Sequence, residues 1–144
     1  MAVLVPLALL AIATAFDLFN ERQIPDTISV LMLVWAIAAK ALGWIEVSWL
    51  SMGVGFLVGF ALGALLFQLG GLGGADVKLV ATLGSAIGIG ALLTTLFWMA
   101  IAGGVLAIVT ALRGKEELAY VPAIAAGFLM TLIMQGEVSR VLQL

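Results

Sequence analysis

Residues 70–112 read GGLGGADVKLVATLGSAIGIGALLTTLFWMAIAGGVLAIVTAL. From Leu79 onward the stretch carries no charge until Arg113. As one straight helix, Leu79 to Leu112 would be roughly 50 Å long at 1.5 Å per residue. A bilayer core is only about 30 Å thick, so the run must fold back. Gly84, Gly88 and Gly90 mark the turn, giving a short fourth helix and a full fifth one from about Ala91. At the other end of the stretch, Gly70-Gly71-Leu72-Gly73-Gly74 interrupts the apolar pattern. It delivers one carboxylate, Asp76, to the start of a new helix.

The rest of the chain is built in the same way. Of its 144 residues, 65% are hydrophobic and 10% charged, with a mean hydropathy of +1.30. A water-soluble domain is about 45–50% apolar and about 25% charged. A fold of this size has too little interior to hide so much apolar surface, so the bilayer must act as solvent. The reading is a single all-α integral membrane domain over residues 1–144, a helical bundle with about six crossings. With no cysteine and no histidine, disulfides, thiol catalysis, Cys/His zinc sites and a Ser-His-Asp triad are excluded. No metal or other cofactor is expected. The net charge of −2, without a basic cluster, gives no sign of nucleic acid as a partner. The N-terminus lacks the positive region of a signal peptide and reads as a retained first helix.

That first helix runs from about Val3 to Phe19 and carries Asp17 near its end. A polar loop with Arg22 follows. Pro25 then fits the first turn of the second helix, and Asp26 favours its positive dipole end. This helix extends to about Leu42, and Trp44 and Trp49 flank an interfacial turn. The third helix spans about Leu50 to Leu69. Its Gly55, Gly59 and Gly63 share one face, spacing that favours close backbone packing. The last helix starts near Val121-Pro122 and ends near Met134. Arg22, Lys78, Arg113 and Lys115 lie on one side of this arrangement, with only Lys40 and Arg140 on the other. The positive-inside rule then puts Asp17 and Asp76 together at the cytoplasmic face, with both termini outside.

A carboxylate in hydrocarbon costs about 2.5–3.5 kcal/mol even on lenient scales, which makes it a functional-site candidate. Two carboxylates within a few ångströms cannot both ionise cheaply, so the pair shares a proton. One can then activate water as a base while the other protonates a leaving amine. Each aspartate also has a structural explanation. Asp17 can snorkel to the interface, and Asp76 can serve as the N-cap of the fourth helix. Lys78 either raises the local positive potential or snorkels. Glu116-Glu117 reads as a solvated loop or a contact for a basic substrate segment.

Asp17, Arg22-Gln23-Ile24-Pro25-Asp26, Gly73-Gly74-Ala75-Asp76-Val77-Lys78-Leu79 and Tyr120-Val121-Pro122-Ala123-Ile124-Ala125 together resemble the type IV prepilin peptidase family. The resemblance implies a GxGD-type aspartic peptidase of the inner membrane. Such an enzyme removes the positively charged leader from prepilins at the cytoplasmic face, with Asp17 and Asp76 as its catalytic pair. It further implies a supporting loop of Gly73, Gly74, Ala75 and Lys78, with Arg22 and Pro25 as substrate or structural contacts. Prepilin is the implied partner and water the nucleophile, with no metal and no covalent intermediate. The glycine loop would give the two aspartates mobility to meet. Lacking the cysteine-bearing N-terminal domain of bifunctional members, the chain resembles the minimal Flp/Tad-type enzymes or their archaeal preflagellin relatives. There are two departures. Ala75 stands where glycine is usual, so the turn before Asp76 must be made without glycine there. Asp26 stands where Asn is common.

Two other classes fit parts of the pattern. A small transporter or proton-relay subunit would also place carboxylates in the membrane. It would put them nearer mid-helix, along a polar stripe, and neither is evident. A presenilin-like protease shares the glycine–aspartate pattern but pairs it with Tyr-Asp, whereas Asp17 follows Phe16.

Overall fold

The computed structural model describes residues 3–19, 25–114 and 120–136, and among them every regular element is helical. The elements are α1 (Leu4–Phe19), α2 (Asp26–Ala41), α3 (Trp49–Gln68), α4 (Gly74–Leu112) and α5 (Val121–Met134). The ends of α1, α2, α3 and α5 lie within a residue or two of the expected ones, because each apolar run stops at a glycine, a proline or a polar turn, whereas α4 opens at Gly74, ahead of the expected start at Asp76, and runs on to Leu112 where two helices were expected. Pro25 is shifted by one position. It is the N-cap of α2 (φ −61°, ψ 130°), not part of its first turn, and Asp26 opens the helix.

The long apolar run forms one element of 39 residues, α4, but not one straight rod. Gly88 interrupts it at φ 78° and ψ 169°, a region essentially confined to glycine. Of the three glycines expected to share the turn, this one makes it. A Cβ on Gly88 would lie 2.8 Å from Ser51 Oγ and 2.9 Å from Val47 Cγ1, so a side chain there would also have to displace these two. The freed backbone is partly compensated, since Ile89 N–H donates to Ser51 Oγ at 3.2 Å. Gly84 instead meets the backbone of Gly55, and Gly90 has nothing near its missing Cβ.

The glycine face of α3 does what its spacing predicts. Gly63 lies against Val77, Gly59 against Val80 and Ala81, and Gly55 against Gly84. As α4 advances, its partners on α3 recede, so the two run antiparallel with backbones close together. Beyond Gly88 the chain returns. Gly103 lies against the ring of Tyr120, and Met99 and Gly103 share a cavity wall with Leu62 and Leu66 of α3. α4 thus sits at the centre, packed on α2, α3 and α5, while α1 packs on α5 and α2.

The outer faces are apolar. Val30, Val34, Leu50, Leu57, Phe97 and Ile108 are all exposed, far more than a water-soluble surface carries. α3 and α4 are long and apolar enough to cross a membrane. At the ends of the bundle, Gly43 (φ 73°) closes α2 and Gly70 (φ 76°) closes α3. In both turns the amide after the glycine reaches back five residues, Trp44 N–H to Ala39 O and Gly71 N–H to Leu66 O, each at 2.8 Å. This is the glycine-dependent way to satisfy the last carbonyls of a helix.

Candidate active site

Asp76 is the third residue of α4, in its first turn. It is not the N-cap, a position that Gly73 takes. Its Oδ2 accepts the Gly73 N–H at 3.0 Å, satisfying one of the amides a helix start leaves open. Glycine has no side chain to return the favour, so only this half of a capping box exists. A Cβ on Gly73 would lie 3.1 Å from Asp76 Oδ2, so the carboxylate would have to shift by a few tenths of an ångström. The other oxygen, Oδ1, is buried without a hydrogen-bond partner among the described residues. Asp76 is thus half anchored, with one oxygen fixed and the other available to chemistry.

The expectation for Ala75 is corrected. Ala75 is an ordinary helical residue inside α4, packed against the core. The chain has already turned at Gly70, five residues earlier, with its positive φ. Alanine at 75 therefore demands nothing unusual of the backbone, and Gly74 next to it has open space around its missing Cβ.

Asp17 occupies the C-terminal end of α1, which packs on α5. Its Oδ2 accepts the Val121 N–H at 3.3 Å, across 104 positions of sequence. Tyr120, the N-cap of α5, contributes no side-chain cap. Asp17 therefore supplies from α1 the acceptor that α5 lacks, at the positive end of its dipole. Sequence reasoning missed this donor. Pro122 signals the start of α5, but nothing in the sequence shows which helix end faces it.

Both carboxylates are buried, each with 7% of its surface exposed, and they lie close enough for their charges to interact. Each is delivered to the N-terminus of a different helix, where two positive dipole ends offset part of the desolvation cost.

Lys78 does not enter the pair. Its Nζ binds Asp26 Oδ2 at 2.8 Å, with both side chains more than half exposed. This contact ties the start of α2 to the start of α4 and was not foreseen. It gives Asp26 a cation partner. Arg22 and Glu116-Glu117 lie outside the described residues. Pro25 sets the backbone at the start of α2. No cluster of three or more metal-ligating side chains occurs among the described residues.

An all-helical bundle with lipid-compatible faces, enclosing two buried aspartates from separate helices, defines a class of membrane proteins with paired carboxylates. Within that class, residues 4–108 match the type IV leader peptidase family, and the chain belongs to it. It is 29% identical over 130 residues to a Bacillus subtilis (strain 168) protein named prepilin leader peptidase/N-methyltransferase, an alignment covering 86% of this chain. The chain spans about half the length of that relative (52%). No solved structure matches it.

Proposed function

We propose that the chain is a membrane aspartic endopeptidase that removes the leader peptide of prepilins, of the Flp type, at the cytoplasmic face of the membrane. The reading treats residues 1–144 as one multi-pass domain with about six crossings. One observation carries it: Asp17 and Asp76, remote in sequence, are both buried, at the starts of α5 and α4, close enough for their charges to interact. Buried carboxylate pairs that share a proton can work as base and acid in turn.

In the mechanism that follows, one ionised carboxylate takes a proton from water as the water oxygen adds to the scissile carbonyl carbon. The other, protonated, carboxyl group gives its proton to the departing amide nitrogen as the C–N bond breaks. The products are a free carboxylate on the leader and a free amine on the mature chain, so protons and electrons balance. Gly73 and Val121 hold the two aspartates through backbone N–H groups, which leaves their orientation independent of flexible side chains.

The test is co-expression with a candidate prepilin, following leader removal by the mass shift of the product. Asp17→Asn and Asp76→Asn keep the shape of the side chain and its ability to accept the backbone hydrogen bond. Each is expected to abolish cleavage while leaving membrane insertion unchanged. Full processing by either variant would refute the carboxylate pair as the catalytic centre.

A further inference from the structure

A cavity of about 400 Å³ lies at the end of the bundle opposite the aspartates. Its walls place it there. Val3 and Pro6 come from the start of α1, which carries Asp17 at its other end. Thr131 and Gln135 come from the end of α5, whose start holds Asp17. Ala86 stands ten residues beyond Asp76, roughly 15 Å along α4. The reversal at Gly88 shapes the cavity, since Ala86 precedes it, Ala91 follows it and Val47 packs against it. Burial shows where the cavity opens. Ala86, Phe128, Thr131 and Leu132 are buried at its base, whereas Trp44, Glu46 and Gln135 are exposed at its rim. Trp35, half-buried, completes one wall. The volume falls within the range of small-ligand sites.

We propose that this cavity binds an ammonium group, carried either by a lipid headgroup or by a free amine. The site is independent of the leader-peptidase reading. Among the described residues Glu46 is the one charged side chain in the lining, with no lysine or arginine beside it. Nor does Glu46 have an ion-pair partner among the described residues. The cavity therefore presents a negative charge, which selects a cation and rejects an anion. Thr131 is already committed to Gly127 O and Thr95, which leaves the Glu46 carboxylate and the Gln135 amide to meet a ligand. Two of the four tryptophans, Trp35 and Trp44, line the same cavity, and an indole face attracts a cation better than any other ring. A tryptophan that only anchors a helix at the membrane boundary needs neither a cavity nor a carboxylate, and both are present here. A hard divalent ion asks for several oxygen ligands. No cluster of three or more metal-ligating side chains occurs among the described residues, so the cation that fits is organic.

The experiment uses the full chain in a non-ionic detergent, with bound lipid read by native mass spectrometry. Phosphatidylethanolamine and phosphatidylglycerol with identical acyl chains are added in equal amounts. Wild-type protein is expected to retain the ethanolamine lipid over the glycerol lipid by roughly 3- to 30-fold, the range for a cation at an aromatic face. Glu46→Gln removes the charge and keeps the shape at an exposed position, and should bring the ratio to within about 2-fold of even. Trp44→Leu should lower it by at least about 2-fold. Asp26→Asn, which removes a carboxylate at the other end of the bundle, should leave it unchanged. A second arm identifies the source of the ammonium group. Choline chloride is titrated into lipid-free protein, and tryptophan fluorescence is followed. A saturable change that Glu46→Gln abolishes supports a free amine as ligand, and lipid selection without a choline response supports a headgroup. Equal retention of both lipids together with no choline response would overturn the site. So would a preference that survives Glu46→Gln, or one that Asp26→Asn lowers as much, since overall charge and not this cavity would then set it.

Discussion

Gly88→Ala and Gly90→Ala differ by two positions in the same apolar run, yet the fold assigns them opposite signs. At Gly88 the backbone sits at φ 78° and ψ 169°, which costs a residue with a side chain about 1–3 kcal/mol. The added methyl would also press within 2.8 Å of Ser51 Oγ and 2.9 Å of Val47 Cγ1, and overpacking of this kind costs about 1–3 kcal/mol. The two effects together give about 2–6 kcal/mol, before any loss of the Ile89 N–H bond to Ser51 Oγ. At Gly90 the backbone is helical and a Cβ meets nothing within 4 Å. Alanine there should stabilise by about 0.5–1 kcal/mol.

Thermal unfolding in a mild detergent, followed by tryptophan fluorescence, checks the contrast. At about 2–4 °C per kcal/mol, Gly88→Ala should melt at least about 4 °C below wild type, and Gly90→Ala at or slightly above it. The same substitution at Gly88 should depress leader cleavage, because the reversal brings Met99 and Gly103 back beside Tyr120. A Gly88→Ala protein that melts with wild type would refute the reversal at this residue. Equal losses at 88 and 90 would refute the assignment of the turn to one glycine.

Three further outcomes are open to the same assays. Gly59→Ala puts a Cβ 2.9 Å from the Val80 carbonyl oxygen and 3.0 Å from Ala81 Cα, backbone that cannot swing aside. It should cost about 1–3 kcal/mol, whereas Gly53→Ala, with open space around it, should change the melting point by less than a degree or two. The buried hydroxyls of Thr95 and Thr131 lie 3.0 Å apart, and Thr131 donates onward to Gly127 O, so Thr95 is the donor between them. Thr95→Val should therefore cost about 0.5–1.5 kcal/mol, and Thr131→Val, which strands the Thr95 hydroxyl, about 1–3 kcal/mol. For the exposed Lys78–Asp26 pair, a double-mutant cycle should return a coupling below about 1 kcal/mol that shrinks with added salt.

The helices were legible because hydropathy and punctuation agree. Leu4–Phe19, Trp49–Gln68 and Val121–Met134 are apolar runs with glycine, proline or polar residues at their ends. The need for a reversal inside Leu79–Leu112 followed from length alone. Which glycine makes it did not follow, because residue type does not reveal φ. Gly84, Gly88 and Gly90 look alike in sequence, yet one packs on α3, one turns the chain and one does neither. The aspartates stood out by their cost in an apolar chain. Their backbone partners did not, since the Val121 N–H reaches Asp17 only through the packing of the first helix on the last. The Lys78–Asp26 pair escaped for the same reason, with each residue open to a local explanation by dipole or snorkelling.

Ala75 shows how a departure from a family's pattern should be weighed. A glycine can be needed for its φ, for space or for neither, and only the first two make a substitution costly. Gly70 is needed for φ, since its turn lets the chain leave α3. Gly73 leaves space for Asp76 Oδ2, which a Cβ there would press at 3.1 Å. Position 75 needs neither, because it is already helical and its methyl packs against the core. The constraint on placing Asp76 therefore resides in Gly70 and Gly73. Gly73→Ala, which crowds the carboxylate oxygen at 3.1 Å, should disturb cleavage more than any change between glycine and alanine at 75.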